Sequence, residues 1–181
     1  QLGAQPRWAS SAPDSSDSWA YPPADMAAWT AHVLFIANRF KGRVSHWEIG
    51  NEEDWIFWKG DLVQYTAYLK AANLALKSVD PANQVLLGGL ASDGLTHWSP
   101  QTPGAKPKAL QQLYAAGAKP WFDIMNLHGY PADYREWETR IATAYAEMAK
   151  AGDEGKRVWI TETGYSTLGD TAPLSAQAVM R

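Results

Sequence analysis

The sequence contains no cysteine, which removes disulfides, thiol nucleophiles and cysteine-ligated metals at a stroke. It has no apolar stretch long enough to cross a bilayer. Basic runs are missing too, and a net charge of −3 is too small to call for nucleic acid or a membrane surface as partner. No glycine-rich phosphate loop follows a strand-like segment. LLGGLASDG, from Leu86 to Gly94, lacks both the GxGxxG spacing and the P-loop lysine, so a nucleotide-binding sheet is disfavoured. No GxSxG elbow is present, which argues against serine-based hydrolysis. His46, Glu48, Glu52, His128 and Glu162 are possible metal ligands, but no HExxH or clustered histidine spacing joins them. Neither a metal nor a cofactor is therefore expected. The chain opens on Gln1 without a signal peptide, as a processed, recombinant or truncated product would. A secreted or periplasmic place is favoured over a cytoplasmic one.

What is present is apolar and aromatic. Hydrophobic residues make up 46% of the 181, enough to bury a core within a single domain spanning 1–181. Ten tryptophans are many for this length. About half suit core packing, but Trp8, Trp19, Trp55, Trp58 and Trp98 sit in polar or turn-like company. An indole there offers a flat apolar face and one N–H donor, a surface suited to a sugar ring.

Residues 1–23, rich in Ser, Pro, Ala and Asp, read as a loop-like N-terminal segment. Helical periodicity then runs from about Ala24 to Phe40, from Asp61 to Ser78, from about Pro107 to Ala116 and from Tyr134 to Ala151. Between these helices, VSHWEIG, QVLLGGL, FDIMNLH and RVWITE read as strands, and a short helix is expected near Pro173. The alternation predicts right-handed crossovers and a parallel α/β sheet. All four strands carry their reactive or unusual residues at the C-terminal end: Asn51 and Glu52, Gly89, His128 and Tyr130, Glu162. In such a sheet that edge is where sites are built.

Two of these residues suggest a chemistry. Glu52 follows Asn51 at a strand end, and Glu162 closes an apolar strand where a carboxylate has no packing reason to exist. A glycosidic bond breaks when one carboxyl group supplies a proton to the leaving oxygen and a second, ionised, stabilises the oxocarbenium-like centre. The neighbouring Glu53 and Asp54 read as helix caps or surface charges.

WEIGNE (Trp47 to Glu52) and WITETG (Trp159 to Gly164) resemble the two signature strands of clan A of the glycoside hydrolases, whose members are (β/α)8 barrels. The wider likeness is to glycoside hydrolase family 39 and its relatives. It runs through LGAQPRWAS (Leu2 to Ser10), NRFKGRVSHWEIGNE (Asn38 to Glu52), FWKGDLVQY (Phe57 to Tyr65), VDPANQVLLGGLA (Val79 to Ala91) and LHGYP (Leu127 to Pro131). The chain departs from many relatives at Glu53, where they have proline.

The resemblance implies that Glu52 is the acid/base at the end of the fourth barrel strand and Glu162 the nucleophile at the end of the seventh. It further implies that Asn51 binds the sugar 2-hydroxyl, and that His128 and Tyr130 line the pocket at the end of the sixth strand. Trp8, Trp55 and Trp58 would be sugar-stacking walls. By the same resemblance the chain holds barrel strands 4 to 7, a partial TIM barrel of about half the usual sheet, since a whole barrel takes about 250 residues. The expected function is retaining hydrolysis of a β-linked oligo- or polysaccharide. Its rivals are an inert half barrel that only binds carbohydrate and a metal-dependent hydrolase. A sheet cut from a barrel leaves open edges and an open inner face, so a homodimer completing the barrel is also expected.

Overall fold

A computed structural model describes residues 1–91, 104–130 and 134–164. Its centre is a four-stranded, all-parallel sheet in sequential order: β1 (His46–Ile49), β2 (Gln84–Leu87), β3 (Ile124–Gly129) and β4 (Arg157–Thr163). The register pairs Trp47 with Val85, Leu86 with Ile124 and Met125 with Val158. Four helices connect or flank the strands: α1 (Met26–Arg39), α2 (Leu62–Val79), α3 (Ala109–Ala115) and α4 (Tyr134–Lys150). Each expected strand and helix among these residues is found, with ends shifted by a few positions. The expected helix near Pro173, and Trp98 with its polar loop, lie outside the described residues.

Sequence signals account for the helix starts. Asp25 caps α1 by accepting the Ala27 N–H at 2.7 Å. At α2 a full capping box forms, with the Asp61 carboxylate on the Gln64 N–H and the Gln64 amide on the Asp61 backbone. Alternation along the strands then decides what the helices cover. Trp47, Ile49, Val85, Leu87, Met125 and Leu127 point outward into one core with Trp29 and Val33 of α1, Tyr65, Leu69 and Leu76 of α2, Leu110 and Leu113 of α3, and Met148 of α4. Trp29 stacks on Tyr68 with centroids 4.1 Å apart. The residues between them, including Glu48, Leu86, Asn126 and His128, face the concave side of the sheet.

The N-terminal segment carries two 3₁₀ turns, Arg7–Ala9 and Ser18–Ala20, and is tied to the sheet. The Leu2 N–H donates to the Glu48 carbonyl at 2.8 Å and Leu2 accepts from the Gly50 N–H at 2.7 Å, a parallel bridge on the outer edge of β1. Ser10 bridges Pro23, and the Gln5 amide reaches the Tyr68 hydroxyl.

Candidate active site

The strand ends bring Glu52, His128, Tyr130 and Glu162 together. Glu52 sits one turn past β1 in left-handed backbone, φ 45°, with its N–H on the Gly88 carbonyl at 2.7 Å. His128 is buried near the end of β3. Its Nδ1 lies 3.3 Å from Glu52 Oε1 and 3.5 Å from Glu162 Oε2. One carboxylate oxygen of Glu52 lies within 4.8 Å of one of Glu162.

Two local features make this convergence possible. β4 carries a bulge: Leu127 pairs with Ile160 but His128 with Glu162, so Thr161 is the extra residue. A bulge re-aims the side chains that follow it, and here Thr161 and Glu162 both reach His128 from one strand. The second feature is Gly89, at φ +67°, where a Cβ would overlap the His128 ring. Only glycine satisfies both the backbone angle and the close approach.

The His128 ring is fixed from its other side. Nε2 is 2.9 Å from Thr161 Oγ1 and 3.5 Å from Glu48 Oε1, and Arg140 of α4 donates to the His128 carbonyl. Burial pulls the His128 pKa down, but the hydrogen bonds to Glu48 and Glu52 and the charges of Glu48 and Glu162 outweigh it, raising the pKa to about 9. At neutral pH the ring is therefore a cation, set among the side chains of Glu48, Glu52 and Glu162. Tyr130 is 61% exposed, and its hydroxyl donates to Glu162 Oε1, a bond that raises the phenol's pKa.

The remaining predicted positions divide. The Asn51 side-chain oxygen accepts from the Gln1 amide at 2.7 Å. Trp55 is half-buried just after Glu52, edge-on to Phe57 at 6.0 Å. Trp58 is not an open wall. It is buried against Tyr65 and Tyr68 with its indole N–H on the Asp61 carbonyl at 2.9 Å, because the turn after Glu52 folds it under α2. Trp8 is 82% exposed. It borders a groove of about 390 Å³ that is shared with Trp29 and His32 and not lined by Glu52, His128 or Glu162.

Glu53 and Asp54 are neither caps nor surface charges; both are completely buried. The turn carries them inward, Glu53 toward Tyr65 and Gly88, Asp54 onto the Ala91 N–H at 2.9 Å. Neither Glu53 oxygen has a hydrogen bond of ordinary geometry among the described residues, the Tyr65 hydroxyl being committed to the Ile49 carbonyl at 2.7 Å. Burial, reinforced by Asp54, pushes the Glu53 pKa up to about 8, and burial pushes Asp54 up to about 7. Sequence reasoning also passed over Thr161, Asn126 and Arg140 as parts of the site. Strand alternation was the available signal for Asn126, which shares its face with His128.

No family model and no curated protein sequence matches the chain, but solved structures do. The fold is similar to a glucosidase from Croceicoccus marinus, with a TM-score of 0.65 and 22% identity over 82% of this chain and 32% of that one. It is similar to a GH39 β-xylosidase from Caulobacter crescentus, with a TM-score of 0.66 and 20% identity over 92% of this chain and 37% of the other. A GH53 catalytic domain from Ignisphaera aggregans gives a TM-score of 0.60 at 19% identity, over 93% and 43%. The chain thus spans less than half the length of each. At these identities the likeness is one of fold alone: an α/β architecture matching part of a TIM barrel.

Proposed function

We propose that the chain carries the two-carboxylate centre of a retaining glycoside hydrolase acting on a β-linked oligo- or polysaccharide. The observation that carries this reading is the approach of Glu52 and Glu162 at the ends of separate parallel strands, with one carboxylate oxygen of each within 4.8 Å of the other. Retaining enzymes hold their carboxyl groups about 5–5.5 Å apart, whereas inverting ones leave roughly 6.5–9.5 Å for a water. Two acids this close suit direct attack on the sugar.

In the proposed reaction Glu162 attacks the anomeric carbon while the bond to the leaving oxygen breaks, and Glu52 gives that oxygen its proton. A water, deprotonated by Glu52, then attacks the same carbon and releases Glu162. Cationic His128, 3.5 Å from Glu162 and 3.3 Å from Glu52, holds both side chains in register, and Tyr130 orients the nucleophile through its hydroxyl. Asn51 is assigned to the sugar 2-hydroxyl, and Trp55 is the stacking wall best placed beside the acid.

The test is a panel of aryl β-glycosides that includes the xyloside and the glucoside, the sugars named by the structural neighbours. At least one should release its phenol, and Glu162→Gln should abolish turnover on all of them. Glu52→Ala should slow poor leaving groups far more than activated ones, which need little protonation, and azide should restore it. Sugar binding without hydrolysis would replace this reading with the carbohydrate-binding one.

A further inference from the structure

His128 Nδ1 is the point on which two carboxylates converge, and that geometry suits more than a proton. A zinc ion holds nitrogen and oxygen ligands at about 2.0–2.2 Å in a tetrahedron, which sets neighbouring donors roughly 3.3–3.5 Å apart. The separations from Nδ1 to Glu52 Oε1 and to Glu162 Oε2, 3.3 and 3.5 Å, already match two edges of that figure. The third, between the two acids, lies within 4.8 Å. Closing it requires Glu162 to turn toward Glu52, and its side chain is 42% exposed.

The outer atoms of the ligands are independently held. The Thr161 hydroxyl donates its one proton to Asn126 Oδ1 at 3.0 Å, so toward His128 it accepts. Nε2 therefore carries its hydrogen, and Nδ1 is the nitrogen turned to the acids. Glu48 Oε1 stands 3.5 Å from the same Nε2 as an ion-pair partner, and the bond from Nε2 to Thr161 is the kind of outer hydrogen bond that orients imidazole ligands in metal sites. Tyr130 occupies Glu162 Oε1 and leaves Oε2 facing the centre.

We propose that Glu52, His128 and Glu162 form a binding site for a divalent transition metal of zinc's kind, which takes the place of the proton at Nδ1 and reversibly closes the site by engaging both acids. A fourth position stays open to water. The proposal rests on ligand geometry and not on the glycosidase reading.

Titration calorimetry of the whole chain with zinc chloride, and with magnesium chloride as control, tests it. One zinc per chain should bind and magnesium should not, since magnesium prefers six oxygen ligands. His128→Ala should abolish binding, Glu162→Gln should weaken it at least tenfold, and Thr161→Val should weaken it about 10- to 100-fold. His32→Ala, outside the cluster, should leave it unchanged. Glu162 is partly exposed, so its variant keeps the test decisive even where His128→Ala fails to fold. Absence of zinc binding, or affinity undiminished by Glu162→Gln, overturns the proposal. Zinc binding by a chain that hydrolyses no glycoside would uphold it and count against the proposed function alone.

Discussion

Glu52 and Glu162 were legible because each stands where packing gives a carboxylate no purpose, within a motif that carries its own context. Glu53 and Asp54 were not legible. Their burial comes from the left-handed turn at Glu52 and from the space left by Gly88, neither of which has a local sequence signal. Their consequence is a pH dependence of stability. Glu53 and Asp54 hold protons in the folded chain up to about pH 8 and 7, above their ordinary values of 4.5 and 3.8. Between those limits the folded state binds more protons than the unfolded, so stability falls as pH rises. His128, raised from 6.5 to about 9, works in the same direction, its contribution being full below pH 6.5 and lost through 9. Glu53→Gln should therefore raise the melting temperature on the order of 5 °C more at pH 8 than at pH 5. Thermal melts at the two values measure it, and an equal change at both would contradict a buried, protonated Glu53.

At the scale of elements, the helices followed from periodicity and caps, and the strands from apolar runs placed between turn signals. The bulge in β4 was not visible in RVWITET, since a one-residue offset depends on how β3 pairs with it. Trp58 was misread for a related reason. A polar-looking neighbourhood, FWKGD, conceals a turn that tucks the indole beneath α2. The glycine pair after β2 was the more telling signal, since it marks where Glu53 and His128 press on the backbone. Gly89→Ala should displace the His128 ring and cut kcat/KM on any aryl glycoside the chain hydrolyses by at least tenfold. It should also destabilise the fold by about 1–3 kcal/mol through strain at the positive φ. Denaturant unfolding alongside kinetics reads both, and unchanged values would mean that the close approach has no consequence.

At the scale of the molecule, the half-barrel architecture was readable because the motifs came in barrel order, and the described residues hold four parallel strands with their helices. The inner face is less empty than a cut barrel suggests: His46 of β1 stacks on Trp159 of β4 across it, with centroids 5.0 Å apart. β4 has no neighbour on its outer side among the described residues, and Ile160 on it is 38% exposed. Sedimentation equilibrium at micromolar concentration should accordingly find the homodimer expected from an open edge and inner face. A monomer that melts cooperatively would show that side chains such as the His46–Trp159 pair suffice.

The central claim, that Glu162 is the nucleophile facing Glu52 as acid/base, is tested most directly by covalent trapping. The chain is incubated with 2-deoxy-2-fluoro β-glycosides of activated phenols, digested, and its peptides mapped by mass spectrometry. The fluorosugar slows both steps, and a good leaving group lets the first outrun the second, so the glycosyl-enzyme accumulates. The account predicts one sugar per chain, attached to Glu162, with no label in Glu162→Gln. A label on any other residue, or hydrolysis of the matching unfluorinated glycoside by Glu162→Gln at the unmodified rate, would contradict it.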